Sequence, residues 1–226
     1  RFNLALSQTY LGAYQAAMDQ VTQADAERVR RALGPDPELQ LLRATIHYRA
    51  GDPATAEDIL QTLLRDPKLA AATAAKAHFL AGLIAADRGD AASIRRHLSA
   101  LPAAEAAGGK ADRLELEGHL AGISGQTDDA LRLFDQAIVL RSLDRDFRGM
   151  TRVLAAAGAL AQQGGRSTLA GSYLLRAGRS AAQRTEPDAR AWLERARDLG
   201  KRAGGSALVL EADATLDQLG PAGQSD

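Results

Sequence analysis

The sequence contains no cysteine and very few aromatic residues. The lack of cysteine excludes disulfides, thiol catalysis and cysteine-ligated zinc, although a chain without thiols suits either redox compartment. Aromatic residues make up 4% of the 226 residues and hydrophobic residues 46%, so alanine and leucine must supply the core. Seven prolines and a single asparagine, Asn3, leave few of the usual signals of strands and hairpins. Because alanine is the strongest helix former, we predict an all-α protein.

The chain also lacks net charge and long apolar runs. Lys and Arg number 28, as do Asp and Glu, so no global field attracts nucleic acid or a membrane surface. No apolar run reaches the roughly 18–20 residues of a membrane span. Residues 141–202 hold thirteen basic and six acidic residues, which indicates either solvated helix faces or a docking surface for an acidic partner. We predict no nucleic-acid partner and no transmembrane segment.

Glycines recur along the chain at intervals of 36–40 residues, and the residues around them follow one phase. The proposed turn glycines are Gly12, Gly51, Gly89, Gly125 and Gly165. Seven residues before them lie small residues: Ala5, Ala44, Gly82, Gly118 and Gly158. Five, nine and twelve residues after them lie small or apolar residues, with Ile94 the one bulky residue at the first of these positions. Such a period predicts repeated helix–turn–helix units, which bury their apolar stripes by stacking on one another.

This pattern resembles the tetratricopeptide repeat (TPR), which has a small residue on helix A, a turn glycine, and alanine, an apolar residue and alanine on helix B. Gly118–Ala137 and Gly158–Ala177 match it best, and the resemblance covers roughly residues 1–180. The period exceeds the usual 34 residues, the closing proline appears clearly only as Pro67, and the helix-A aromatic is absent. The resemblance implies an all-α, right-handed α-solenoid of about five TPR-like pairs with a C-terminal capping helix pair.

We expect a single domain over residues 1–219. Its units are 1–33, 37–66, 69–101, 111–141 and 145–183, followed by the capping pair 187–219. Asp52-Pro53, Asp66-Pro67 and Pro187-Asp188 indicate helix boundaries, and Thr127 is placed to cap the helix after Gly125. Pro102 to Gly109 reads as a loose link, the likeliest seam between two blocks. Residues 220–226 read as a flexible tail.

No group of residues in the sequence supports catalysis. The four histidines fall in three repeats, and Glu115 with His119 at i, i+4 supplies only two metal ligands. Gly109-Lys110 and Gly200-Lys201 lack the rest of a phosphate-binding loop and follow no strand. We therefore predict a protein that is not an enzyme and that binds no metal or cofactor.

The resemblance also implies a binding surface, because helix A lines the concave face of the family's superhelix. Carrying the family's positions onto this sequence predicts a ligand- or peptide-binding groove of mostly apolar and aromatic residues. Its members are Phe2, Leu6, Tyr10, Leu41, Thr45, Tyr48, Phe79, Leu83, Glu115, His119 and Ile123. The alternative is that these residues form ordinary core between repeats. In that case irregular repeat lengths bend the solenoid.

We expect a non-enzymatic scaffold that holds a protein partner in a bacterial envelope or multiprotein assembly. The alternative is a carrier for an apolar small molecule, a lipid or sterol, in bacterial lipid trafficking. An open groove with a surface patch above the few hundred Å² normal for monomers would favour the scaffold, and an enclosed apolar cavity of several hundred Å³ with few polar groups at one end would favour the carrier. We expect a periplasmic or outer-membrane-associated location, with a lipid anchor upstream of Arg1 as one means of attachment; a cytoplasmic location is the alternative.

Overall fold

A computed structural model describes residues 1–102 and 107–220, and this described part of the chain contains twelve α-helices and no strand. In the first half they are α1 (Phe2–Tyr10), α2 (Tyr14–Arg30), α3 (Pro37–Arg49), α4 (Pro53–Leu64), α5 (Ala71–Asp87) and α6 (Ala91–Ala100). In the second half they are α7 (Ala107–Ile123), α8 (Thr127–Leu143), α9 (Phe147–Gln163), α10 (Ser167–Ala182), α11 (Ala189–Ala203) and α12 (Ser206–Leu219). The prediction of an all-α protein is confirmed.

The contacts divide the chain into two compact units, Arg1–Ala103 and Ala104–Asp226. Within each unit every helix packs against the next one in sequence. In the first unit α3 also contacts both α1 and α5, so the three A helices form one row. In the second unit α10 also contacts α12. The division falls in the segment that the sequence indicates as a seam.

All five predicted turn glycines adopt the left-handed conformation, with φ between 69° and 84°. After each one, the next backbone N–H donates to the carbonyl five residues back at 2.9 Å; Gln126 to Ala121 is one case. This is the Schellman arrangement, which satisfies carbonyls that the end of a helix leaves unpaired. Gly204 has the same geometry (φ 68°), so the capping pair α11–α12 shares the turn although Arg197 replaces the small residue.

The predicted phase of the repeats agrees with burial. The small residues before the turn glycines are buried on helix A, and the residues five positions after them are buried on helix B. Of the positions nine and twelve residues after, Ala24 alone is partly exposed. A Cβ added to Gly118 would lie 2.6 Å from the ring of Phe134, and one added to Gly158 would lie 2.8 Å from Leu174. Glycine on helix A therefore admits a large side chain from helix B.

The helix ends differ from the sequence expectations at two places. Gln126 is the N-cap of α8 and Thr127 its first residue, so the predicted Thr127 cap is wrong. The turn register fixes the N-cap as the residue directly after the glycine. Helix α7 begins at Ala107, so the end of the expected loose link is helical, while residues 103–106 lie outside the described residues. The expected tail also lies outside them, apart from Gly220.

The two units have cores of different extent. In the second unit one continuous cluster of buried residues runs from Leu131 on α8 to Leu216 on α12. The first unit has two smaller clusters, one centred on α1 to α3 and the other on α3 to α5. Alanine supplies much of each cluster, which follows from the shortage of aromatic residues in the sequence.

Candidate functional site

Eight of the predicted groove residues lie in the first unit, on α1, α3 and α5. Phe2 is exposed (38%), whereas Leu41 and Leu83 are buried (8% and 4%). The other five are partly buried: Leu6, Tyr10, Thr45, Tyr48 and Phe79. The row of A helices thus combines core residues with partly accessible ones. The role of these residues in ligand binding stays a prediction.

The two tyrosines of this row contact charged residues of the following unit. The Arg49 guanidinium lies over the Tyr10 ring, 5.1 Å from its centroid. The Tyr48 hydroxyl donates to the Asp87 carboxylate at 2.7 Å. Both pairs join residues 39 positions apart, close to one repeat period. The contacts link neighbouring repeats at or near equivalent positions, and the bond to Asp87 engages the Tyr48 hydroxyl.

The remaining three predicted residues lie on α7 in the second unit and have three different environments. Ile123 is exposed (41%), and His119 is partly buried with its ring edge-to-face against Phe134. Glu115 is completely buried. Arg152 Nε donates to its Oε1 at 2.6 Å, and Arg141 Nη2 donates to its Oε2 at 2.5 Å. Glu115 therefore holds α7 against α8 and α9, and a ligand would reach it only by displacing these contacts.

The charges of this cluster are set by burial and pairing together. Burial alone would raise the pKa of Glu115, but Arg152 and Arg141 outweigh it and leave that pKa lowered. Burial raises the pKa of Asp112 even though Arg141 Nη2 donates to it at 2.8 Å. Arg141 also donates to Asp146, the N-cap of α9, at 2.6 Å. The cluster joins three helices through ion pairs made by two buried side chains, Glu115 and Arg141.

A groove of about 750 Å³, open to solvent, lies along helices α8 and α10 with Leu114 of α7 at its edge. Its surface is mainly apolar. The apolar and aromatic lining consists of Leu114, Leu131, Val139, Leu140, Leu169 and Tyr173. Val139 is 57% exposed and Leu169 38% exposed, a costly state for large apolar side chains in water. We name this surface the α8/α10 groove.

Two side-chain contacts span the α8/α10 groove, each joining residues 38 positions apart. Arg166 at the N-cap of α10 pairs with Asp128 at the start of α8. Seven residues further along both helices, the Tyr173 hydroxyl donates to Asp135 at 2.9 Å. Because both helices advance by the same number of residues between the contacts, they run side by side in register.

The basic excess between Arg141 and Arg202 has a structural explanation. Eight of the thirteen basic residues form ion pairs, several of them with carboxylates outside this segment such as Glu115, Asp128 and Glu211. The carboxylates of neighbouring helices therefore neutralise much of the excess. This favours solvated helix faces over a docking surface for an acidic partner.

A second groove of about 460 Å³ lies along α10 and α12, with a more polar surface that includes Gln183, Thr215 and Gln218. Across it, Arg179 donates to Glu211 at 2.8 Å. In the residues that the structure describes, no three His, Asp or Glu side chains come together as metal ligands. None of the described helices has the length and apolar character to cross a membrane.

No model of a known protein family matches the chain. A search of curated proteins finds no significant relative. The candidate sites therefore stand on their residues and geometry.

The α8/α10 groove was not predicted from the sequence. The TPR resemblance places the binding surface on helix A and implies that helix B serves for packing. A signal was nevertheless available: Leu131, Asp135 and Val139 are spaced at i, i+4 and i+8, on one side of α8. Whether such a stripe is core or surface depends on the spacing between helices, which the sequence does not specify.

Proposed function

We propose that the protein is a non-enzymatic, TPR-like α-solenoid that serves as a binding scaffold for a protein partner. Support for the solenoid comes from six turns of one geometry and from side-chain contacts that join residues about one repeat apart; its right-handed sense is what the TPR resemblance implies. The row formed by α1, α3 and α5 fits the same arrangement. A bacterial envelope location is part of this proposal and rests on composition alone.

The observation that carries the scaffold function is the α8/α10 groove. It is open and mainly apolar, and two of its large apolar side chains, Val139 and Leu169, remain exposed. Exposed apolar grooves of this kind suit peptides and helices of other proteins, whereas apolar small molecules favour enclosed pockets. The proposed binding surface therefore lies on the B helices of the second unit. The A-helix residues of the first unit remain a second, separate prediction.

The scaffold function is tested by altering the groove without altering the core. Val139→Asp and Leu169→Asp place a charge in the groove at exposed positions, so both variants should fold. Leu210→Asp is the matched control, because Leu210 is 69% exposed on α12 and lies outside the groove. Affinity purification from the native cells should recover a protein partner with wild type and Leu210→Asp but not with the groove variants.

The carrier function makes the opposite prediction for the same set of variants. If wild type takes up a fluorescent fatty acid and recovers the same proteins as both groove variants, the scaffold proposal is wrong. In that case Phe79→Asp identifies the alternative site, because it introduces a charge into the partly buried A-helix row. Loss of fatty-acid uptake with an unchanged melting temperature would place the lipid there.

A further inference from the structure

We propose that the α8/α10 groove binds a basic amphipathic α-helix of the partner and that Asp135 receives a lysine or arginine side chain of that helix. This inference rests on the proposed function, since it specifies the class of partner for the same groove. It depends on three features of the groove: its length, its apolar lining and its residual charge.

The groove has the length of a short helix. Its lining on α8 runs from Asp128 to Leu140, which at 1.5 Å per residue corresponds to about 18 Å, or roughly three turns. The two contacts across the groove show that α8 and α10 keep the same register from Asp128 to Asp135, about 10 Å of this length. A slot between two helices accepts a third helix more readily than it accepts a folded loop.

The apolar lining matches one face of an amphipathic helix. Leu131 and Val139 project from α8 and Leu169 from α10, on both sides of the contact between Asp135 and Tyr173. A docked helix would place apolar residues at i, i+3 or i+4, and i+7 against these side chains. Such packing would remove exposed Val139 and Leu169 from water.

Four charged residues line the groove, Asp128, Arg132, Asp135 and Arg166, and of these only Asp135 forms no ion pair among the described residues. Asp128 pairs with Arg166, and Arg132 pairs with Asp129 at 2.9 Å. Among the described residues, no cationic group forms an ion pair with Asp135, whose partner is the neutral Tyr173 hydroxyl. Arg176 acts on Tyr173 electrostatically but is not part of the groove lining.

The Tyr173 side chain, which bonds to Asp135, carries no charge at neutral pH. Burial, together with the hydrogen bond to Asp135, raises the pKa of Tyr173 to about 12, so the phenol stays protonated at neutral pH. Its hydroxyl donates one hydrogen bond and leaves the remaining acceptor sites of the carboxylate for a donor from solution. A cationic side chain between apolar neighbours satisfies these sites, whereas an acidic one would be repelled.

Two synthetic helical peptides of 18 residues test this inference. Both carry the same leucine stripe, and they differ in one central residue on that stripe, lysine in one and glutamate in the other. Their affinities are measured by fluorescence anisotropy with wild type, Asp135→Asn, Asp135→Lys and Val139→Asp. Asp217→Asn on α12 is the control for removal of an exposed carboxylate.

Wild type and Asp217→Asn should bind the lysine peptide about fivefold or more tightly than the glutamate peptide. Asp135→Asn should remove the preference, Asp135→Lys should reverse it, and Val139→Asp should weaken both peptides. Equal binding of both peptides by wild type, with loss of both in Val139→Asp, would overturn the role of Asp135 and leave the scaffold function standing. Binding of neither peptide, or binding unaffected by Val139→Asp, would overturn this inference, whereas the scaffold function fails only if Val139→Asp and Leu169→Asp recover the same proteins as wild type.

Discussion

Close contacts between helices A and B depend on single glycines whose missing side chain is replaced by a large residue opposite. Gly118 receives the ring of Phe134, and Gly158 receives Leu174. Gly122 lies one turn after Gly118, and a Cβ added to it would lie 3.3 Å from a methyl group of Leu160. The two glycines of α7 therefore differ in how much space they leave.

We predict that Gly118→Ala destabilises the protein by about 1–3 kcal/mol, because Phe134 is buried in the core and the new Cβ would overlap its ring. Alanine is the better helix former, so a destabilisation means that the overlap exceeds the gain in helix propensity. Gly122→Ala is the matched control and should change stability by less than about 0.5 kcal/mol, since Leu160 can move. Urea unfolding of both variants measures the difference. Equal effects would contradict the packing at Phe134.

A second residue-scale feature is the contact between His78 on α5 and His97 on α6, whose Nδ1 atoms lie 3.2 Å apart. Burial lowers the pKa of His78 and of His97; the positive charges of His78 and Arg96 lower the pKa of His97 further, while Glu57 and Asp90 act in the opposite direction. The unfolded chain has the ordinary histidine pKa of about 6.5. Below that pH the unfolded state binds protons that the folded state does not yet bind.

We therefore predict that the free energy of unfolding of the first unit falls as the pH drops below about 6.5. It should be independent of these two groups above that pH, where both rings are neutral in both states. Circular dichroism during urea titration at several pH values between 8 and 5 measures the effect. His97→Gln should reduce this pH dependence; a variant that keeps the wild-type slope would exclude the histidine contact as its cause.

At the scale of the element, two kinds of turn alternate along the chain. Turns within a pair use glycine, whereas three turns between pairs place a non-glycine residue in the left-handed region: Ala32, Arg145 and Thr185. Arg145 and Thr185 each precede a residue whose N–H donates to the carbonyl five positions back, as in the glycine turns. A β-branched residue such as Thr185 is the least suited to this backbone conformation.

We predict that Thr185→Gly stabilises the protein by about 0.5–1 kcal/mol, because it removes left-handed strain that exceeds the extra chain entropy of glycine. The opposite exchange, Gly125→Thr, introduces this strain at φ 78° and should destabilise by about 1–2 kcal/mol. Thermal unfolding compares the two variants with wild type. A lower melting temperature for Thr185→Gly would show that the threonine side chain has a stabilising role beyond its hydrogen bond to the Arg184 carbonyl.

The helices and their turns were predictable because the signals are local. A turn glycine followed five residues later by a small residue specifies both the left-handed conformation and the start of helix B, as at Gly51 and Ala56. The environment of Glu115 was not predictable, because its partners lie 26 and 37 residues away and nothing local pairs them. The α8/α10 groove likewise depends on long-range packing. The prediction for Thr127 failed because the helix is capped one residue earlier, at Gln126.

At the scale of the whole molecule, the chain consists of two compact units whose cores differ. The second unit has one cluster of buried residues across α8 to α12, with Trp192 packed against it. The first unit divides its apolar residues between two smaller clusters. Because repeats contact mainly their neighbours, each unit should respond to denaturant according to its own core.

We predict that unfolding in urea occurs in more than one step and that the first unit unfolds first. Circular dichroism reports helices of both units, whereas the fluorescence of Trp192 reports the second unit. The fluorescence midpoint should therefore lie at a higher urea concentration than the first change in circular dichroism. Coincident curves, together with equal calorimetric and van't Hoff enthalpies, would indicate a single cooperative unit instead.

The central claim is that the α8/α10 groove holds a protein partner, and site-specific photocross-linking in the native cells tests it most directly. A photoreactive phenylalanine analogue replaces Gln136, which lines the groove, or Ala207 on the exposed side of α12 as the control. The account predicts a discrete protein adduct from position 136 that is absent from position 207 and is lost when Val139→Asp is added. No protein adduct at position 136, or the same adducts at both positions, would contradict it.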